Sequence, residues 1–74
     1  MDNSVKDGFT WDDSYAIARE LMKLHPDVDL EQVSLQMIYN WTLALTDFQD
    51  DPKLCNDAIL MAIYTDWFEE VNSI

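Results

Sequence analysis

The chain has 74 residues, so it holds one domain at most, and 49% of them are apolar with 12% aromatic. A chain this short buries only ~60% of the surface its unfolded form exposes, yet this composition supports an efficient core and excludes a disordered acidic tail. Fifteen Asp and Glu face four Lys and Arg, a formal charge of −11. Such a chain repels nucleic acid and anionic membranes and suits cations and basic proteins. The single cysteine cannot form an internal disulfide, so the fold does not depend on an oxidising compartment. No apolar run approaches the roughly 18 residues a membrane span requires, and the start has no apolar signal region. A cytoplasmic, monomeric protein is expected.

In chain order, residues 1–8 are polar, include the only glycine and read as a flexible leader; residues 9–74 read as one domain. Phe9-Thr10-Trp11 reads as a short extended piece. Asp12 is an expected N-cap, with Trp11 as a hydrophobic staple on Ala16. Ile17, Ala18, Leu21, Met22 and Leu24 recur at helical spacing and predict a first helix over about Asp13–Leu24, stopped by Pro26. His25 to Asp29 is a turn, and Leu30 to Val33 is ambiguous, with one helical turn as one option. Ser34 is an expected cap for a second helix over about Leu35–Leu45, with Leu35, Ile38, Trp41, Thr42 and Leu45 as its stripe. Asp47 to Asp51 forms an acidic loop. Asp51-Pro52 signals a helix start, with Asn56 as a competing cap. The third helix is expected over about Lys53–Val71. Ile59, Ile63, Trp67 and Val71 form its inner stripe, flanked by Leu60, Tyr64 and Phe68. The fold class is therefore all-α: a small single domain of three main helices, with at most very short strands near Thr10 and Ser34.

Catalytic machinery is nearly absent from the sequence. One His, one Cys and no Gly-rich loop leave no zinc set, no nucleophile triad and no phosphate cradle. An EF-hand count from Asp47 fails, because Pro52 and Ala58 fall where Gly and Glu are required. His25 ends a helix, where a cation complements the dipole. Cys55 sits among acids and reads as a packed or partly exposed free thiol, since negative surroundings disfavour the thiolate. The tryptophans, Met22, Met37 and Met61 read as core.

The carboxylates divide. Asp12, Asp13, Asp51 and Asp57 have helix-start explanations. Asp47 and Asp50 have less obvious local roles. Asp66, Glu69 and Glu70 lie at the end of the last helix, where negative charge costs ~0.3–1 kcal/mol each. Plain solvation is one reading of them; a functional acidic surface is favoured over it.

Several marks together resemble the IscX family of small acidic accessory proteins in bacterial iron–sulfur cluster assembly. They are Trp11-x-Asp13-Ser14, Pro26-Asp27-x-Asp29, Val33, Trp41 and Leu45-x-Asp47-Phe48-x-Asp50-Asp51-Pro52. To these is added Asn56-x-x-Ile59-Leu60-x-Ala62-Ile63-x-x-x-Trp67-x-x-Glu70. The resemblance implies a mostly helical domain likened to a modified winged helix. It also implies a non-enzymatic regulator or adaptor that binds a cysteine desulfurase and weakly binds ferrous iron. Asp47, Asp50, Asp51, Asp66, Glu69 and Glu70 are then the candidate docking residues. Carboxylates of the Asp47–Asp51 loop, joined by Asp27 or Asp29 if that turn folds nearby, are the candidate Fe²⁺ ligands. A dedicated iron donor or sensor is the alternative. A nucleic-acid role by analogy with winged helices lacks a phosphate-binding face.

Overall fold

Asp13 opens the first helix, but its carboxylate turns away from it. Asp13 accepts hydrogen bonds from the Thr10 amide at 2.9 Å and the Thr10 hydroxyl at 3.3 Å. Helix α1 therefore runs Ser14–Leu24 without a side-chain cap, and Asp12, the expected N-cap, is exposed in the preceding turn. Trp11, expected as a staple for Ala16, is buried beside Tyr39 and Phe48, stacked at 6.1 Å on the first and edge-on at 4.6 Å to the second. These positions come from a computed structural model that describes residues 8–72. Most of the expected leader, residues 1–7, lies outside the described residues. Gly8, assigned to that leader by its sequence, packs against the loop: a Cβ there would collide with the Asp47 carbonyl and the Gln49 side chain.

The ambiguous segment after α1 is a single 3-10 turn, Leu30–Gln32, capped by Asp29, whose carboxylate accepts from the Glu31 amide at 3.0 Å. Helix α2 runs Leu35–Leu43. Ser34 caps it as expected, and the cap is reciprocal: the Ser34 hydroxyl accepts from the Met37 amide, and the Met37 sulfur accepts from the Ser34 amide. Met37 thus takes the place that Glu or Gln has in a capping box, and its role is at the cap rather than in the core. The helix ends two residues before the expected Leu45 because the chain tightens into i→i+3 bonds at Ala44 and Leu45. Leu45 is buried all the same.

The third helix is shorter than the proline signal implied. Pro52–Leu54 forms a separate 3-10 turn, Cys55 and Asn56 are extended, and α3 runs Asp57–Val71. Asn56 caps it through the Ile59 amide at 2.9 Å. A side-chain acceptor three residues ahead of an amide outcompetes continuation of a turn begun at proline.

α3 packs on both α1 and α2, most extensively on α1. The core is Trp11, Ile17, Ala18, Leu21, Leu30, Ile38, Leu45, Leu60, Ile63 and Trp67, with Thr42 buried among them. Trp41 is half-buried, with His25 stacked on it at 4.0 Å and Trp67 tilted against it at 6.1 Å. Truncating a fully buried member such as Leu21 or Ile63 to Ala costs about 2–5 kcal/mol. Three expected core residues are exposed instead: Leu24, Met61 and Val71. The inner stripe of α3 is Leu60, Ile63 and Trp67, one residue round from the spacing-by-four pattern. Among the described residues, strand-type pairing is limited to one parallel bridge between Phe9 and Phe48.

Candidate functional site

The acidic loop is held in a fixed shape by the segment just before α1. The Phe9 amide donates to the Asp47 carbonyl at 2.7 Å and the Gln49 amide donates to the Phe9 carbonyl at 2.8 Å, which makes the Phe9–Phe48 bridge. The Trp11 amide donates to Asp50 Oδ2 at 3.0 Å, and its indole N–H donates to the Asp51 carbonyl at 2.8 Å. Asp50 Oδ1 accepts from the Asp51 amide at 2.7 Å, and Asp51 Oδ1 accepts from the Lys53 amide at 2.9 Å. Asp50 therefore spends both oxygens on backbone amides, and burial of the Trp11 ring fixes the whole arrangement. Asp47 and Asp51 are exposed beside it.

The carboxylates at the end of α3 reach the same helix start from the other side. Ser14 donates its hydroxyl to Asp66 Oδ2 at 2.7 Å, and Tyr15 donates its hydroxyl to Glu70 Oε1 at 3.1 Å. Glu70 also lies 3.8 Å from Arg19. Arg19 is solvent-exposed, so screening leaves that pair a minor contributor to stability. The acids placed against the helix dipole thus have structural partners: they tie α3 to α1. Glu69, next to them, is exposed. Four carboxylates bond to residues 10–15: Asp13 to Thr10, Asp50 to Trp11, Asp66 to Ser14 and Glu70 to Tyr15. What such a surface can do is attract and orient cationic groups.

Asp27 and Asp29 do not join the loop. They follow the C-terminal end of α1, whereas Asp50 is bound at its N-terminal end, and the helix between has 11 residues. At 1.5 Å per residue that helix is ~16 Å long. Among the described residues, no group of three or more His, Cys, Asp or Glu is gathered to hold a metal ion. A closed metal site does not fit these residues.

Cys55 is a half-buried free thiol after the 3-10 turn. Burial pushes its pKa up, Asp57 adds to that, and a hydrogen bond to the Asn56 carbonyl opposes it. The sequence reading missed the anchors Trp11, Ser14 and Tyr15. The Trp and Ser belonged to the quoted motif, but a hydroxyl's partner fifty residues away leaves no local trace.

Fold and site together define a small, acidic, all-helical domain with an anchored carboxylate surface. The chain matches the family described as "Iron-sulphur cluster assembly" over residues 9–72. It is also 35% identical over 60 residues to an uncharacterised protein of Pseudomonas aeruginosa, covering 81% of this chain and 91% of that relative. The chain belongs to the iron–sulphur cluster assembly family, an accessory-type family. No helix among the described residues is long and apolar enough to cross a membrane.

Proposed function

We propose that this chain is a non-enzymatic, cytoplasmic, monomeric adaptor that docks its acidic surface on a basic patch of a cysteine desulfurase. The observation that carries the reading is the anchored loop: Trp11 holds Asp50 and Asp51 in one geometry on a chain of charge −11. A fixed field steers encounter with a basic surface more effectively than a wandering tail. Membership of the assembly family supports the choice of a sulfur-supplying partner. Asp47, Asp51 and Glu69 are the exposed docking residues in this reading. Asp50, Asp66 and Glu70 contribute charge from positions already bonded within the chain.

The test is association kinetics with purified cysteine desulfurase across a salt series. Asp47→Lys with Glu69→Lys leaves every hydrogen bond named above intact. It should slow association roughly tenfold and flatten its salt dependence, because rim charges act mainly on the on-rate. Unchanged kinetics would remove the acidic surface from the interface.

Ferrous iron belongs to this proposal as a weak, open association with Asp47, Asp50 and Asp51, since carboxylate oxygens suit the ion but no closed set is assembled. Asp27 and Asp29 would act separately from that loop. Anaerobic Fe²⁺ titration should show weak binding that Asp47→Asn/Asp51→Asn reduces and Cys55→Ser leaves alone. The reverse pattern would move iron to the thiol. A dedicated iron donor would require tight, stoichiometric binding in the same experiment.

A further inference from the structure

Helix α3 has two apolar faces, and the fold uses one. Leu60, Ile63 and Trp67 are buried inside. Met61, Tyr64, Phe68 and Val71, at i, i+3, i+7 and i+10, form a second stripe beside the first. Tyr64 is half-buried, its hydroxyl donating to the Leu30 carbonyl at 3.2 Å and its ring stacked on Phe68 at 6.4 Å. Met61, Phe68 and Val71 remain 47%, 46% and 46% exposed. The stripe extends ~15 Å along the helix at 1.5 Å per residue. Single exposed apolar side chains are ordinary. Four at helical spacing widen the apolar arc of α3 well beyond what one buried face requires.

This stripe borders a groove of about 300 Å³ between the end of α3 and the Pro26–Glu31 segment. Val28, Leu30, Phe68 and Val71 supply apolar walls, and Asp29 and Glu31 line it as well. The Asp29 carboxylate is fixed there by the Glu31 amide. The opposite flank of α3 carries Asp66 and Glu70 and faces Ser14 and Tyr15. The groove is therefore a surface separate from the acidic loop.

We propose that this groove and stripe dock a basic amphipathic helix of a partner protein, its apolar side chains on Phe68 and Val71 and its Lys or Arg on Asp29 and Glu31. Charge selects the occupant. A second copy would bring its own acidic rim and a charge of −11 against the same charge. Its α1 cations are already engaged, Lys23 with Glu20 at 3.0 Å and Arg19 with Glu70. A cationic helix meets both the apolar wall and the acidic rim, the mode by which helices fill grooves through i, i+3, i+4 and i+7 anchors. The inference goes beyond desulfurase docking and stands without it.

The probe is a synthetic helical peptide with leucines at i, i+3, i+4 and i+7 and lysines elsewhere, titrated into the ¹⁵N-labelled full chain. A control peptide replaces the leucines with serine at equal charge. Saturable shifts at Val28, Leu30, Tyr64 and Phe68 are expected with the leucine peptide alone. Phe68→Ser should weaken binding about tenfold, in line with loss of one buried aromatic contact. Glu31→Lys, which leaves the Asp29 cap in place, should weaken it severalfold, and keeps the test available should the serine variant misfold by circular dichroism. Equal binding of the serine peptide would overturn the proposal. So would loss of binding in Asp47→Lys with retention in Phe68→Ser, which would assign the peptide to the loop. Sedimentation of the free chain as a dimer that Phe68→Ser dissociates would assign the groove to a second copy and also overturn it.

Discussion

Thr42 lies at the centre of the inner face of α2 with no exposure, and its hydroxyl has no hydrogen-bond partner. A buried hydroxyl stripped of water without compensation costs about 1–3 kcal/mol. Thr42→Val exchanges that hydroxyl for a methyl group of similar size at a fully buried position. Helix propensities of the two residues are close, and valine holds one dominant χ1 rotamer in a helix. Nothing on the native side opposes the change, so stabilisation of about 1–2 kcal/mol is expected. In a domain of this size each kcal/mol moves Tm by roughly 4–8 °C. Urea unfolding followed by tryptophan fluorescence measures it, with the midpoint raised and the slope m unchanged. Thr42→Ser is the companion: it keeps the unpaired hydroxyl, loses a buried methyl and should be destabilised by about 1 kcal/mol. A valine variant no more stable than the wild type would refute the reasoning. It would show that the hydroxyl is bonded, through the Ile38 carbonyl one turn back or a buried water.

Two further perturbations bear on the loop and the thiol. Trp11→Phe keeps the amide bond to Asp50 but deletes the 2.8 Å indole bond to the Asp51 carbonyl. It should cost about 1–2 kcal/mol and speed amide exchange at Phe9, Gln49 and Lys53; unchanged protection there would mean that the ring does not hold the loop. Burial and Asp57 raise the Cys55 pKa, so alkylation of the native chain should begin at higher pH than in the urea-unfolded chain. The same shift favours the neutral thiol in the fold. Its contribution to stability is complete below the unfolded pKa and fades as pH climbs through the folded one. Superimposed pH–rate profiles would show Cys55 to be freely solvated.

Helix existence was legible because apolar spacing is a local signal: Ile17, Ala18 and Leu21 predicted α1, and Ile38 with Thr42 predicted α2. Boundaries were less so, since they depend on contests between neighbours. Asp51-Pro52 and Asn56 both signal a start, and each received one: a 3-10 turn after the first, α3 after the second. The true inner stripe of α3 was obscured for another reason. Its sequence is apolar on adjacent faces, so spacing alone could not choose between Ile59–Ile63–Trp67–Val71 and Leu60–Ile63–Trp67. Packing against α1 and α2 decided it and left Met61, Phe68 and Val71 outside.

The site was legible as chemistry and hidden as geometry. Composition identified an acidic protein, and Asp66 and Glu70 stood out because helix dipoles disfavour them. That anomaly admitted two causes, a partner outside the chain or a partner within it. Ser14, Tyr15 and Arg19 supply the internal one, more than fifty residues away in sequence. A carboxylate already accepting a hydroxyl at 2.7 Å loses that bond on turning outward. Asp66 is therefore a costly ligand for an incoming lysine, and Asp50, with both oxygens on amides, is costlier still. The charges with least to lose are Asp47 and Glu69. Single reversals at those two positions should therefore change partner association with little effect on Tm. Reversal of Asp66 or Asp50 should lower Tm first, and a variant series with the opposite ordering would show that the bonded carboxylates, not the exposed ones, meet the partner.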